Sequence, residues 1–108
     1  AKTFLKEVPN TWDDTKFIDG YPGKDAIIAR QKNNCWYIGG INSENIEKNK
    51  TLNFSFLKEN EKYKLTLIED GEHDKSFVTN YLVVDNTSSV NVKMLRRGGF
   101  AASLHPID

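Results

Sequence analysis

Three consecutive segments show the clearest structural pattern in this chain: Asp25-Ala26-Ile27-Ile28-Ala29-Arg30-Gln31, then Lys32-Asn33-Asn34, then Cys35-Trp36-Tyr37-Ile38-Gly39-Gly40-Ile41. The first and third segments are rich in β-branched and aromatic residues, which favour strands. The polar segment between them is typical of a turn. The sequence therefore predicts an antiparallel hairpin that pairs residues 26–31 with residues 36–41. Ile28, Trp36 and Ile38 are predicted to supply most of its apolar burial.

The chain after this hairpin continues as short strands separated by turns. Alternation of apolar and polar residues is clearest in residues 62–69 and 89–95, and strands are also predicted for residues 51–54, 77–84 and 100–104. About seven to eight short strands predict an all-β fold, an antiparallel β-sandwich with Greek-key connections. The apolar positions expected to face the core together are Tyr63, Leu65, Leu67, Val90, Val92 and Met94.

The chain before the hairpin is predicted to be less regular. Residues 1–9 are predicted to be a linker with a short helical tail, which Pro9 ends because the residue before a proline disfavours helical geometry. Residues 11–15 and 19–23 are both predicted to be turns. The sandwich domain is therefore placed at residues 10–108.

Composition excludes several classes of partner. The chain has 108 residues, with 15 basic and 15 acidic side chains, so it lacks the basic surplus that nucleic acids or anionic membranes favour. It contains no apolar run approaching the roughly 20 residues that span a bilayer. Its single cysteine, Cys35, excludes an internal disulfide. We expect one domain with no nucleic-acid and no membrane partner.

No group of residues predicts a metal site. His73 and His105, the only histidines, lie far apart and are expected to be exposed. The segment Asp70-Gly71-Glu72-His73-Asp74 carries alternate carboxylates, but its glycine is second rather than sixth, which favours a hairpin turn over a calcium loop.

No group predicts catalysis either. Asp13 and Asp14 are adjacent on a predicted loop, without the pocket that paired glycosidase carboxylates require. Cys35 is expected to be a buried, unreactive side chain. Exposed aromatic rings leave a second interpretation open, a carbohydrate-binding module. The aromatic residues available for stacking on sugars are Trp12, Tyr21, Trp36, Tyr37, Tyr63 and Tyr81.

Several phrases in the chain resemble one known family. They are Val8-Pro9-Asn10-Thr11-Trp12-Asp13-Asp14-Thr15, Ile28-Ala29-Arg30, Trp36-Tyr37-Ile38-Gly39-Gly40-Ile41-Asn42 and Gly98-Gly99-Phe100-Ala101-Ala102. In this order they resemble the C-terminal domain of glycoside hydrolase family 97, which includes bacterial α-glucosidases and α-galactosidases. The resemblance covers nearly the whole chain.

The resemblance implies a role within a larger enzyme. In that family a catalytic (β/α)₈ barrel precedes a C-terminal β-sandwich, so residues 1–9 would end the barrel's last segment. Calcium and the catalytic carboxylates would lie in the earlier domains, and the enzyme would be periplasmic. This domain would hold no cofactor and catalyse nothing, and would stabilise the barrel by packing on it. We expect Phe4, Leu5, Trp12 and Asp13 to contact the barrel.

Overall fold

The computed structural model describes residues 13–21, 23–70 and 77–107. In these ranges no helix is long and apolar enough to cross a membrane. Three predicted contact residues, Phe4, Leu5 and Trp12, lie outside the described ranges, as does the predicted linker at residues 1–9. The eight strands are β1 (Asp14–Tyr21), β2 (Asp25–Lys32), β3 (Cys35–Asn42), β4 (Lys48–Asn53), β5 (Tyr63–Asp70), β6 (Phe77–Val84), β7 (Ser89–Met94) and β8 (Gly99–Pro106).

The strands form two unequal antiparallel sheets. The larger has six strands in the order β1-β2-β3-β8-β5-β6, and the smaller has two, β4 and β7. Because β3 pairs with β8, β4 with β7 and β5 with β6, the chain from β3 onward is one long hairpin rolled on itself. This nesting produces the Greek-key connections of many β-sandwiches. The predicted all-β sandwich is confirmed.

The central hairpin has the predicted position, but one of its predicted core residues faces the other way. Strands β2 and β3 pair from Asp25 opposite Asn42 to Lys32 opposite Cys35, around a turn where Asn33 has a φ of 56°. Trp36 and Ile38 are buried as predicted.

The prediction for Ile28 is wrong, since Ile28 is only half-buried and Ile27 is the residue enclosed in the core. Register explains this, because Ile27 and Ala29 lie opposite Gly40 and Ile38, whereas Ile28 lies opposite Gly39 on the other face. Residues 26–29 are all apolar, so apolar–polar alternation does not indicate which of them face the core.

Strand β1 replaces the two turns predicted near the start of the domain. It pairs with β2 along its length, and its register shifts between Phe17 and Asp19. Such a bulge breaks the alternation by which strands are recognised. Of the described residues of the predicted second turn, residues 19–21 belong to β1, and residue 23 forms a turn with residue 24. Strand β1 was not predicted because Phe17 and Ile18 are its adjacent aliphatic and aromatic residues and give no apolar–polar alternation.

The core lies between the two sheets. The face of the six-stranded sheet that the β4–β7 pair covers is the inner face, and its opposite is the outer face. From the segment after β4, Phe56 packs edge-on against Trp36, with ring centroids 4.7 Å apart. The buried apolar residues are Ile27, Ala29, Trp36, Ile38, Leu52, Phe54, Leu57, Tyr63, Leu65, Leu67, Val84, Val92, Met94, Phe100, Ala102 and Leu104.

A glycine on the inner face allows β3 and β8 to pack with a large ring between them. Gly40 lies opposite Phe100, and any Cβ at residue 40 would overlap the Phe100 ring. The first glycine of the Gly39-Gly40 pair has a different environment, since a Cβ there would meet no atom within 4 Å. Gly40 therefore leaves room for a ring on the inner face, and Gly39 leaves open space on the outer face of the same strand.

We predict that Ile38→Ala destabilises the domain much more than Ile28→Ala. Ile38 is enclosed on the inner face, so its loss removes buried apolar area and leaves a cavity, at about 2–5 kcal/mol. Ile28 is half-exposed, and its truncation should cost less than about 2 kcal/mol. Denaturant unfolding of the two variants measures both costs. Equal losses would mean that the inner and outer faces are wrongly assigned.

Candidate functional site

The outer face of the six-stranded sheet carries a continuous apolar row. Register places Phe17 opposite Ile28, Ile28 opposite Gly39, Gly39 opposite Ala101, and Ala101 opposite Ile68. The row thus crosses five strands, with its smallest residues in the middle. Outer-face residues in an antiparallel sheet are usually polar when they meet water. An apolar row here indicates contact with another surface.

The small residues of this row form the floor of a groove. Its volume is about 350 Å³, and Gly39 opens directly into it. Ile41 stands at one side with 67% of its surface exposed, and Phe17 at the sheet edge is 66% exposed. Apolar surface of this kind is typical of protein contact sites. The other side chains around the groove are Ala26, Ile28, Arg30, Tyr37 and Ala101.

Asp13 is the one predicted contact residue within the described ranges, and its polar atoms bond inside the domain. Its carboxylate accepts a hydrogen bond of 2.7 Å from the Asn33 amide and lies 3.5 Å from the Lys32 ammonium. Its own amide donates to the Gln31 carbonyl at 2.7 Å. Asp13 thus attaches the start of β1 to the β2–β3 turn. A contact with another domain stays a prediction.

A buried carboxylate ties the two sheets together at one end of the sandwich. The Asp25 side chain is 1% exposed, and its Oδ2 lies 2.6 Å from Lys48 Nζ and 3.5 Å from Lys50 Nζ. Its Oδ1 accepts a 3.2 Å hydrogen bond from the Tyr21 amide, and Glu44 is a second partner of Lys48. The hydrogen bond from Lys48 is the main cause that lowers the pKa of Asp25, with help from Lys50, against the opposing effect of burial. This group could not be predicted from the sequence, because only the packing of β4 over β2 brings the charges together.

Asn42 secures the loops at that same end. Its Nδ2 donates to the carbonyls of Ile46 and Leu95 at 2.7 and 3.1 Å, and its Oδ1 accepts from the Glu44 amide at 3.1 Å. Because the side chain is fully buried, each of these bonds replaces water that it has lost. The loop before β4 and the segment after β7 are therefore held to the end of β3.

Cys35 and His105 meet on the outer face, contrary to the expectations for both residues. The cysteine was predicted to be buried and the histidine to be exposed, but both are half-buried, and Cys35 Sγ lies 3.2 Å from His105 Nδ1. They lie at the start of β3 and near the end of β8, strands that only the rolled topology pairs. Burial raises the pKa of the Cys35 thiol, which disfavours the reactive thiolate. In the part of the chain that the structure describes, no three metal-ligating side chains are grouped for an ion.

We predict that Asp25 makes stability dependent on acid. The lowered pKa means that its contribution is present above its ordinary value of 3.8 and is lost as the pH falls through and below that value. Asp25→Asn should lose about 1–3 kcal/mol at neutral pH, because a charge-assisted bond is removed, and should show a shallower loss on acidification. Unfolding free energies measured from pH 7 to about pH 3 provide the test.

The control for this titration is Asp14→Asn. The Asp14 carboxylate is 47% exposed and 3.6 Å from Lys16, so its removal should change stability by less than about 0.5 kcal/mol. If both variants had the same pH profile as the unaltered chain, the buried pair would not be a determinant of acid stability.

Comparison with protein families finds one model that covers most of the chain. Residues 11–105 match the family described as glycosyl-hydrolase 97 C-terminal, oligomerisation. A retaining alpha-galactosidase of Bacteroides thetaiotaomicron is 28% identical over 111 residues, which span 96% of this chain and 16% of that enzyme. The chain thus corresponds to about a sixth of this relative's length.

Solved structures with the same fold also come from larger glycosidases. A glycoside hydrolase family 97 enzyme from Pseudoalteromonas sp. strain K8, in complex with panose, has a TM-score of 0.90 at 18% identity over 98% of this chain and 18% of its own. A beta-arabinopyranosidase has a TM-score of 0.78 at 27% identity over 94% of this chain and 15% of its own. In each case the similarity is confined to a small part of the larger chain.

Proposed function

Because the chain belongs to the family of glycoside hydrolase 97 C-terminal domains, we propose that it is a non-catalytic accessory domain that packs on the catalytic barrel of an α-glycosidase and stabilises it. The proposed parent is an α-galactosidase, in keeping with the name of one relative, or an α-glucosidase, which the family resemblance implies. Calcium in the catalytic part of that enzyme and a periplasmic location are further proposals, and both rest on the family resemblance.

The observation that carries this proposal is the apolar row on the outer face. The inner face is covered by β4 and β7, whereas Phe17 and Ile41 leave about two thirds of their surface in water. A convex apolar side chain of a neighbouring domain would fill the groove above Gly39 and exclude that water. Each square ångström of apolar area so covered contributes about 25 cal/mol. The outer face is therefore the proposed docking surface for the barrel.

The polar surroundings of the groove suit a contact better than a reaction. Arg30 at its border contributes a cation, and the half-buried Tyr37 contributes a ring next to His105. Hydrolysis of a glycosidic bond needs two carboxyl groups on either side of the sugar. The side chains that surround the groove include no carboxylate.

Docking through the N-terminal segment belongs to the same proposal. Phe4, Leu5 and Trp12 lie outside the described ranges, and their contact with the barrel stays a prediction. The start of β1 is bonded to the β2–β3 turn through Asp13, and the outer-face pair Cys35 and His105 lies at this same end of the sheet. A preceding domain would then lie close to that end of the outer face.

The carbohydrate-binding interpretation receives less support from the positions of the aromatic rings. Trp36 and Tyr63 are buried in the core. The exposed rings Phe17 and Tyr81 lie on β1 and β6, at opposite edges of the six-stranded sheet. Tyr21 lies four residues from Phe17 across a bulge and approaches Lys50 of the covering sheet. These rings do not form a neighbouring pair on which a sugar could stack.

We predict that the 108-residue chain alone hydrolyses neither α-glucosides nor α-galactosides. The reason is that Asp13 and Asp14 are exposed at the start of an edge strand, without a substrate pocket around them. Assays with chromogenic substrates, with and without calcium, provide the measurement. Turnover that disappears in Asp13→Asn or Asp14→Asn would refute the non-catalytic role.

We predict that Ile41→Arg weakens the full-length parent enzyme but hardly affects the isolated chain. Ile41 is 67% exposed, so a long charged side chain fits there in the free domain at less than about 0.5 kcal/mol. In the parent the same charge would be buried against the barrel and would lower the melting temperature.

The matched control is Ile46→Arg. Ile46 is 59% exposed in the loop before β4, away from the groove. Thermal unfolding of both variants, in the isolated chain and in the parent, separates the two positions. Identical melting temperatures for both variants in the parent would show that the outer face is not the docking surface.

A further inference from the structure

One edge of the six-stranded sheet lacks the features that protect exposed strands. In the described part of the chain this sheet ends at β6, whose sequence Phe77-Val78-Thr79-Asn80-Tyr81-Leu82-Val83-Val84 contains no charged residue, proline or glycine. Its register with β5 runs without a shift from Asp70 opposite Phe77 to Tyr63 opposite Val84. A regular, uncharged edge strand presents unpaired main-chain groups to any strand that approaches.

The other sheet edges are all protected in recognised ways. Strand β1 has a bulge and the charged residues Asp14 and Lys16. Strand β4 carries Lys48 and Lys50. On β7 the Lys93 amide is occupied by a 2.7 Å hydrogen bond to the Glu69 carboxylate. Lysines, bulges and occupied amides prevent strand addition, so β6 is the exception among these edges.

Strand β6 also exposes large apolar side chains on both faces of the sheet. Tyr81 and Val83 are each 63% exposed, and Leu82 between them is 44% exposed. Successive side chains of a strand point to opposite faces, so apolar groups flank the open edge above and below. A strand added along β6 would cover all three.

We propose that β6 is a homodimer interface, at which the β6 strands of two copies pair antiparallel around a two-fold axis and join two six-stranded sheets into one. The family model that matches the chain is described as an oligomerisation domain, which favours a second copy as the occupant. A two-fold axis is also the commonest symmetry of protein oligomers.

Antiparallel pairing makes a strand edge its own complement. If residue i of one copy faces residue j of the other, residue j of the first faces residue i of the second, and donors meet acceptors on both sides. The edge needs no other sequence for this match. The barrel would remain free to occupy the outer face, so the dimer goes beyond the accessory role and does not depend on it.

The test compares charges placed at the two sheet edges. Val83→Glu puts a carboxylate on β6 opposite Lys64, which preserves the folded domain while the charge opposes pairing of a second copy. Phe17→Glu is the control, with a side chain exposed to a similar degree, at 66%, on the opposite edge. Sedimentation equilibrium of the chain should show a dimer whose dissociation constant rises about tenfold or more in Val83→Glu and is unchanged in Phe17→Glu.

Cross-linking tests the same pairing without a destabilising charge. In a Cys35→Ser background, Asn80→Cys or Tyr81→Cys should form a disulfide-linked dimer on mild oxidation, because the middle of β6 lies nearest the axis. Lys16→Cys in the middle of β1 should not. A monomeric chain at high micromolar concentration, dissociation caused by Phe17→Glu rather than Val83→Glu, or linkage only through residue 16 would each overturn the proposal.

Discussion

The two sheets differ in size, and this difference determines which surfaces of the domain are covered. A sheet of six strands has two faces, and the described part of the chain supplies two further strands to cover them. Those two strands cover the inner face, where the large apolar side chains are buried. The outer face keeps an apolar row and a groove that no strand within residues 13–21, 23–70 and 77–107 covers. The inner face therefore forms the hydrophobic core of the domain, and the outer face leaves apolar surface available for contact with another domain.

The narrow covering sheet is held in place by polar bonds as well as by the core. Asp25 on β2 reaches Lys48 and Lys50 on β4, which fixes the covering strand above the hairpin. Asn42 and Glu69 bond to main-chain groups next to β7 and within it. The polar groups in these bonds are buried or half-buried. Removal of one partner would therefore leave the other without a hydrogen bond to protein or water. They determine how the sheets are aligned rather than how strongly each forms.

Much of this fold could be predicted from local pattern, and the remainder depended on long-range contacts. The hairpin β2–β3 was predicted from composition and strand β5 from alternation, and the positions of both are confirmed. Strand β1 could not be recognised from the sequence, since its bulge at Ile18 interrupts the two-residue alternation of side chains. The pairing of Cys35 with His105 needs β8 to return beside β3, a consequence of topology that no short stretch encodes. The groove likewise required the register that aligns Gly39 with Ala101.

The proposed docking requires that the outer face is exposed in this chain and covered in the enzyme that contains it. Hydroxyl-radical footprinting of the isolated chain and of the full-length parent tests it directly, through the labelling of Phe17, Ile28, Tyr37 and Ile41. We expect these side chains to be labelled in the chain alone and clearly protected in the parent, with Ile46 labelled equally in both. Outer-face labelling that stays the same in the parent would show that the barrel does not cover this face.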